Sequence, residues 1–502
     1  MTLESIIKPL IKPSVTGNAK VEITKVVCDS REVAPQSCYV AIKGTKLDGH
    51  RFIDQAIQQG AVAIIAEIPC TKEARAAGVT WVEVNNTREA LGLVASAFYE
   101  FPSKDLRVIG VTGTNGKTTS AYIAHSIMKK EWFRAGLIGT IVNDNGSTSE
   151  TATQTTPGPI ELQALLAQMR KNGCRGVAME VSSHAIDQDR VSGIEFDAMI
   201  FTNLTQDHLD YHGNMENYFM AKAKIFAQLC RETKGKRKPT AIINIDDPYG
   251  KRLVEMIGDK MNVKTFGCSI GADFRMTFHQ STARSSEFKL DYKGKTYLVR
   301  VPLIGKFNMY NCLGALAATV SVGIPIRDVI THLTKIPQVP GRMELIPHAR
   351  GFQIFIDYAH TPDAISNVCR TLKDLTSDRL ITVFGCGGDR DAEKRPLMGK
   401  AAAALSSLCV VTSDNPRSEN PDTIIKQILA GMPAKGRVVI PDRDQAITAA
   451  IMEAQAGDTV LIAGKGHESY QIIGDETLPF SDVSCVLKAF RLREEHFNKL
   501  QS

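Results

Sequence analysis

The chain has 502 residues, 60 of them Lys or Arg and 54 Asp or Glu, for a formal charge of +6. That balance argues against an extended nucleic-acid surface, and 43% hydrophobic with 23% charged residues describes a globular protein of about three domains. The 11 cysteines include no C-x-x-C pair, which leaves zinc or disulfide frameworks unsupported and points to a reducing compartment.

Residues 1–101 read as a small α/β unit, with strands at 21–27, 39–42, 61–65 and 81–84, a helix at 87–100, and a linker at 101–103 (FPS). The start, MTLESIIKPLIKP, lacks a basic region followed by an apolar run, and no apolar run nears the roughly 20 residues that span a bilayer. A cytoplasmic protein is expected.

A second unit opens with RVIGVTG and continues through GVAMEVSSH, AMIFTNLTQDH and TAIINIDD, apolar runs that each end in polar residues with helical patterns between them. This alternation predicts a mainly parallel sheet with crossover helices. The basic run 234–238 (KGKRK) reads as a solvated loop. Segments 288–290 and 297–299 flank Lys293-Gly294-Lys295, which predicts an antiparallel hairpin, and a helix is expected over 308–322. After a second linker at 337–341 (PQVPG), a third unit repeats the strand-then-site pattern in FQIFIDYAH, LITVFGCGGD, LCVVTSDNP, RVVIP and TVLIAGKGH. Open α/β sheets bind ligands beyond the carboxyl ends of their strands, so these loops are expected to share a crevice.

VTGTNGKTT, residues 111–119, follows a strand and opens a helix. Gly113, Thr114, Asn115 and Gly116 would turn backbone N–H groups onto phosphate oxygens, Lys117 would reach the terminal phosphates, and Thr118 would meet Mg²⁺ beside Thr119. The spacing departs from G-x-x-x-x-G-K-[ST], since Val111 takes the place of the first glycine. Glu180 ends a strand and suits Mg²⁺, though without the phosphate loop it would read as a solvated or capping acid. His208 reads as a minority ligand or as a capping histidine, the residues dividing the two evenly. Lys222 reads as an exposed lysine on a helix. In VTSDNPRSENP, Arg417 stands near Asp414 and Glu419 in a proline-stiffened loop, either a surface partner of Glu419 or a fork held for a ligand carboxylate.

In one order, TGTNGKTT, MEVSSH, TNLTQDHLDYHG, AK at 221–222, GKFNMYN, GRME, DYAHTPD, GCGGDRD, DNPRSENP and AGKGHE resemble the motifs of the Mur ligases, ATP-dependent amino-acid-adding enzymes of peptidoglycan synthesis. The resemblance covers nearly the whole chain. It implies an α/β protein of three domains: a UDP-binding domain at 1–101, a P-loop ATPase domain with a mainly parallel sheet and an antiparallel appendix at 102–337, and a Rossmann-like amino-acid-binding domain at 338–502. It implies that ATP lies on the phosphate loop with Asn308, Asn311, Arg342, Asp357, Tyr358 and His360. It implies that UDP-N-acetylmuramoyl-L-alanyl-D-glutamate lies on Asp29-Ser30-Arg31, Gly44-Thr45-Lys46-Leu47, Thr155, Thr156, Ser182, Gln188 and Arg190. Of these matches the first-domain segment is recognisable in outline alone.

For the incoming amino acid, meso-2,6-diaminopimelate, the resemblance implies Arg390, Asp414, Asn415, Arg417, Gly464 and Glu468; L-lysine is the rival within the family. It also implies Mg²⁺ on Thr118, Glu180, His208 and Lys222, the lysine carrying a CO₂-derived carbamate (N6-carboxylysine), with Lys224 the neighbour most easily confused with it. Lys117, Glu180, His208 and Lys222 would be the catalytic set, acting through an acyl phosphate, and the third domain would close on the others. A monomer without nucleic-acid or membrane partners is expected. A non-catalytic nucleotide-binding protein would have lost Lys117 or a metal ligand, and GCGGDRD lacks the G-x-G-x-x-G spacing of a nicotinamide site.

Overall fold

The computed structural model describes residues 1–44, 47–231, 238–348 and 351–501, and the side chains of 231 and 496–501 are outside the description. Thr45, Lys46 and residues 234–237 of the basic run lie outside the described residues.

The first sheet runs in the order Ser14–Thr16, Thr80–Glu83, Ala61–Ala66, Ser37–Val40, Lys25–Val27, parallel except for its first pair. Its central strand, AVAIIA, is an unbroken apolar run because both faces are covered. The strand expected over 21–27 forms only at Lys25–Val27, and Ser14–Thr16, exposed at all three positions, carries no apolar signal that would reveal it. The FPS segment is a packed joint and not a free linker. Phe101 is left-handed at φ 51°, Pro102–Lys104 form a 3-10 turn, and the Ser103 hydroxyl accepts from the Glu195 N–H at 3.1 Å. The helix Thr87–Phe98 docks this domain on the central one: Ser96 Oγ donates to Gly193 O at 2.9 Å, and a Cβ on Gly92 would lie 2.5 Å from Ser192 O.

Among the described residues the central sheet has eleven strands, with Arg107–Thr112 between Ala198–Phe201 and Gly176–Glu180, both parallel to it. Parallel pairing continues outward to Ala135–Ile138 on one side and Thr240–Asn244, Asn262–Gly267 and Phe274–Ser281 on the other. The predicted hairpin is present as Ser286–Tyr292 and Lys295–Val301. This antiparallel appendix forms the edge of the central sheet, joined through Phe274–Ser281. A second antiparallel edge, Val142–Asp144 with Ser149–Thr151, was not legible in the sequence because both strands are three residues long. Gly110 belongs to the strand: a Cβ there would press on Met199 and Phe196 at 2.5 and 2.7 Å, so it is a packing residue and not a shifted member of the phosphate loop.

The third sheet runs Glu344–Leu345, Gln353–Asp357, Thr459–Ala463, Leu380–Phe384, Leu408–Val411, Arg437–Val439, parallel except for the first pair. Outside it a small hairpin pairs Tyr470–Ile473 with Glu476–Pro479. No helix among the described residues is long and apolar enough to cross a membrane.

Candidate active site between the central and C-terminal domains

The strand Arg107–Thr112 feeds the helix Lys117–Trp132 through a loop whose Gly113 and Gly116 hold φ of 145° and 89°. A Cβ on Gly113 would fall 1.9 Å from Thr202 Oγ1, and one on Gly116 2.2 Å from Asn311 Oδ1. Gly113→Ala is therefore expected to lower stability by about 1–3 kcal/mol and to abolish nucleotide binding, read by thermal melting with and without ATP. The loop is braced from the TNLTQDH segment: Thr114 N–H donates to Asn203 O and Asn115 N–H to Asn203 Oδ1, each at 2.9 Å. Lys117 folds back, its Nζ donating to Gly113 O at 3.0 Å and Thr114 O at 2.8 Å. Burial lowers its pKa, against Glu180 and Asp207.

Glu180, 1% exposed, ends the strand beside the loop. Thr118 Oγ1 donates to its Oε2 at 2.9 Å, and Thr140 N–H donates to its Oε1 at 2.7 Å. A hydroxyl and a carboxylate set together are oxygen donors suited to a hard divalent cation. His208 opens a short helix with φ 54° and faces Asp207 at 3.3 Å. Burial depresses its pKa to about 4, with Asp207 opposing, so it is neutral near pH 7 and able to ligate. Lys222 is not the exposed lysine its helix suggests. It is 1% exposed, donates to Gly113 O at 2.8 Å, and lies 4.6 Å over the Tyr218 ring. Burial, reinforced by Lys117, holds its pKa well below the usual lysine value. Among the described residues no group of three or more His, Cys, Asp or Glu is assembled for a metal.

A cavity of about 720 Å³ opens where the phosphate loop meets the third domain. Asn115, Gly116, Thr119 and Asn311 line one wall, and Arg342, Asp357, Tyr358 and His360 another. Asn308 is not at the wall; it accepts from Asn311 Nδ2 at 3.1 Å and donates to Ile304 O, so it orients Asn311. Asp357 serves as a strand-end cap, accepting the N–H groups of Met343 and Ala359 at 2.7 Å, and burial raises its pKa to about 6. Contacts that cross between the domains include Asn115 Nδ2 to Asp363 Oδ2 at 3.2 Å and Arg342 Nη2 to Thr118 Oγ1 at 3.0 Å. The Arg342 guanidinium lies 4.6 Å over the Tyr358 ring. Asp246, Tyr310, His279 and Arg370 also line the cavity; Asp246 and Tyr310 fall inside TAIINIDD and GKFNMYN, whereas His279 and Arg370 carry no sequence motif.

Behind Glu180, Thr156 Oγ1 donates to Glu180 O at 2.9 Å and accepts from Ser182 N–H at 3.2 Å. Thr155 accepts from Thr140 Oγ1 at 3.1 Å. Arg190 donates to Gln188 Oε1, Gln154 Oε1 and Thr156 O at 2.7–3.0 Å. All are neutral acceptors, and among the described residues Arg190 has no ion pair. In the first domain Ser30 donates to Gln55 Oε1, Asp29 pairs with an exposed Arg31, Gly44 N–H donates to Leu47 O, and Leu47 is 62% exposed.

In the third domain Arg417 has φ 53°. The hairpin secures it: Arg417 N–H donates to Ile472 O at 3.1 Å and Gly474 N–H to Arg417 O at 2.7 Å. Its Nη1 donates to Gly388 O at 2.7 Å, the one side-chain bond it makes among the described residues. Glu419 is not its partner; both Glu419 oxygens accept from the buried Arg395 at 2.7 Å. Arg390 Nη1 donates to Asp389 O. A Cβ on Gly464 would lie 2.5 Å from Asp414 Oδ2, so glycine makes room for that acid. Asn415 Nδ2 donates to Glu468 Oε2 at 2.9 Å, and Tyr358 O–H reaches Glu468 Oε1 at 3.4 Å. Glu468, Arg417, Asp414 and Arg390 all act on the Tyr470 hydroxyl, whose pKa is raised first by burial. Neither Tyr470 nor the buried Lys465 was singled out from sequence.

A strand–loop–helix phosphate cradle facing a second open sheet across a cavity defines a P-loop nucleotide-binding enzyme of opposed α/β domains. Family models match along the chain: the Mur ligase family catalytic domain at 22–99, the Mur ligase middle domain at 111–319, and the Mur ligase glutamate ligase domain at 341–466. The chain belongs to the Mur ligase family. It is 42% identical over 490 residues to UDP-N-acetylmuramoyl-L-alanyl-D-glutamate–2,6-diaminopimelate ligase 1 of Clostridium acetobutylicum, covering 97% of this chain and 98% of that protein. It is 41% identical over 495 residues to the ligase of the same name, without the numeral, from Geobacillus thermodenitrificans, covering 98% and 100%. A solved structure of a UDP-N-acetylmuramoyl-L-alanyl-D-glutamate–2,6-diaminopimelate ligase superposes with a TM-score of 0.70 at 31% identity, covering 98% of this chain and 99% of that one.

Proposed function

We propose that the chain is an ATP-dependent ligase. It joins meso-2,6-diaminopimelate to the γ-carboxyl of D-glutamate in UDP-N-acetylmuramoyl-L-alanyl-D-glutamate, in cytoplasmic peptidoglycan precursor synthesis. Domains at 1–101, 102–337 and 338–502 would bind UDP, ATP and the amino acid respectively. The observation that carries this reading is the contiguity of three subsites. Thr156 and Ser182 abut Glu180, Glu180 bonds Thr118 of the phosphate loop, and Arg342 on Thr118 stacks on Tyr358, whose hydroxyl meets Glu468. A carboxylate, a γ-phosphate and an amine can thus be brought together in that order. The names of the full-length relatives favour diaminopimelate as the amine.

In this mechanism the D-glutamate γ-carboxylate, anchored through Arg190, attacks the γ-phosphorus of ATP, and ADP leaves. The amine of the incoming amino acid attacks the resulting acyl carbon, and phosphate leaves and the nitrogen gives up a proton to solvent as the amide forms. Positioning and charge neutralisation supply the catalysis. Lys117 exchanges the carbonyls of Gly113 and Thr114 for phosphate oxygens, and Arg342 neutralises the transferring group. Thr118, Glu180 and His208 would hold Mg²⁺, with Lys222 joining them as a carbamate once its unprotonated amine has added to CO₂ and lost a proton. Mg²⁺ there would neutralise phosphate charge.

Phosphate release and tripeptide formation, measured with meso-diaminopimelate and L-lysine in parallel, test the proposal. A strong preference for diaminopimelate is expected. Equal rates with both would remove the amino-acid assignment, and no tripeptide with either would remove the enzyme assignment.

A further inference from the structure

Lys465 follows the strand Thr459–Ala463 and is 0% exposed. A lysine with no solvent access needs partners for its ammonium. Its Nζ donates to Asn415 Oδ1 at 2.8 Å and to Glu468 Oε2 at 3.1 Å, and lies 5.6 Å from the Tyr470 ring centroid. Ile472 N–H also donates to Asn415 Oδ1, at 3.1 Å. An ammonium and an amide N–H can only donate, so the atom facing them must be the Asn415 oxygen. That choice turns Asn415 Nδ2 toward Glu468 Oε2, at 2.9 Å. Glu468 Oε2 then accepts from both Asn415 and Lys465, while Oε1 has only the long 3.4 Å contact from Tyr358 O–H among the described residues.

We infer that Lys465 is a positioning residue of the amino-acid pocket, setting Asn415 and Glu468 so that one Asn415 N–H and Glu468 Oε1 are left for the incoming amino acid. The inference rests on the pocket assignment made above. Glu468 Oε1 suits an ammonium of the ligand, and the free Asn415 N–H suits its carboxylate. Without Lys465 the Asn415 amide loses one of the two donors that orient it, and Glu468 loses the cation that ties down Oε2. Both groups remain present but their free valences no longer point one way. Pre-organisation of this kind shows in the affinity for the one ligand it serves.

The test is Lys465→Met, which keeps the length of the chain and removes the ammonium. The KM for diaminopimelate is expected to rise about tenfold or more, while the KM values for ATP and for the UDP-muramoyl-dipeptide stay within about twofold of wild type. A diaminopimelate KM within twofold of wild type would overturn the inference, and so would a parallel rise in all three KM values, the mark of a merely structural lysine. If Lys465→Met does not fold, Lys465→Gln, which keeps a donor for Asn415 but no charge, is measured in its place against the same criteria. Failure of wild-type protein to use diaminopimelate at all would instead reject the functional reading itself.

Discussion

Lys222→Ala is expected to reduce tripeptide formation by at least about a thousandfold, with part of the rate restored by short carboxylic acids. Two lysines, Lys117 and Lys222, donate to the single carbonyl of Gly113, at 3.0 and 2.8 Å. Two buried ammonium groups so placed repel each other, and the cost falls on Lys222, whose pKa is driven well down by burial and then by Lys117. The unprotonated amine is the form that adds to CO₂. A carbamate on Lys222, as proposed above, would carry a negative charge, converting a repulsive neighbour of Lys117 into an attractive one and adding oxygens suited to Mg²⁺. Alanine removes that group and leaves a space that a small carboxylate can enter. Phosphate release from ATP with both other substrates present reads the rate. Wild-type activity would deny the carbamate any part, and loss without rescue would reduce Lys222 to a brace for the phosphate loop.

Arg417→Ala is expected to lower kcat/KM for diaminopimelate by about a hundredfold, with the KM for ATP changed by less than about twofold. The residue accepts a left-handed backbone at φ 53°, a conformation that costs a β-carbon residue about 1 kcal/mol or more and is sustained here by two hydrogen bonds to the hairpin. The guanidinium spends one N–H on Gly388 O. Glu419, the nearest acid in sequence, is taken by Arg395. A charged fork so held is free to take a second carboxylate in bidentate fashion. L-Lysine lacks that carboxylate, so whatever turnover it supports should be little altered by the substitution. Initial rates across a range of each amino acid measure the split; an unchanged KM and turnover for diaminopimelate would refute the role.

The parts of this fold legible in sequence are those in which neighbouring residues carry the whole signal. RVIGVTGTNGKTT reads as strand, loop and helix because an apolar run, the two loop glycines Gly113 and Gly116 and a lysine suffice, and the strand Arg107–Thr112 and helix Lys117–Trp132 stand where expected. The helix expected over 308–322 spans Lys306–Ser321, and the hairpin about Lys293-Gly294 is present. What could not be read depends on distant partners. Lys222 looks exposed because a lysine on an amphipathic helix normally is, and only Gly113 and Tyr218, brought over it by the fold, show otherwise. Asn308 and Asn311 look alike, yet only Asn311 reaches the cavity wall. Lys465 sits unremarked inside a glycine-rich motif because the amide it orients, Asn415, lies 50 residues away on another segment of chain.

The hairpin Tyr470–Ile473/Glu476–Pro479 meets the arginine loop at one bridge, Arg417 to Ile473. The loop and the hairpin are therefore one mechanical part encoded in two places, more than fifty residues apart. A graft of DNPR alone into a relative that adds a different amino acid would transfer the guanidinium without its splint. The side chain would relax to an ordinary backbone conformation and aim elsewhere. Exchange of specificity between such enzymes should then succeed only when both segments travel together, which makes the transplantable unit of recognition here a pair of segments and not a motif.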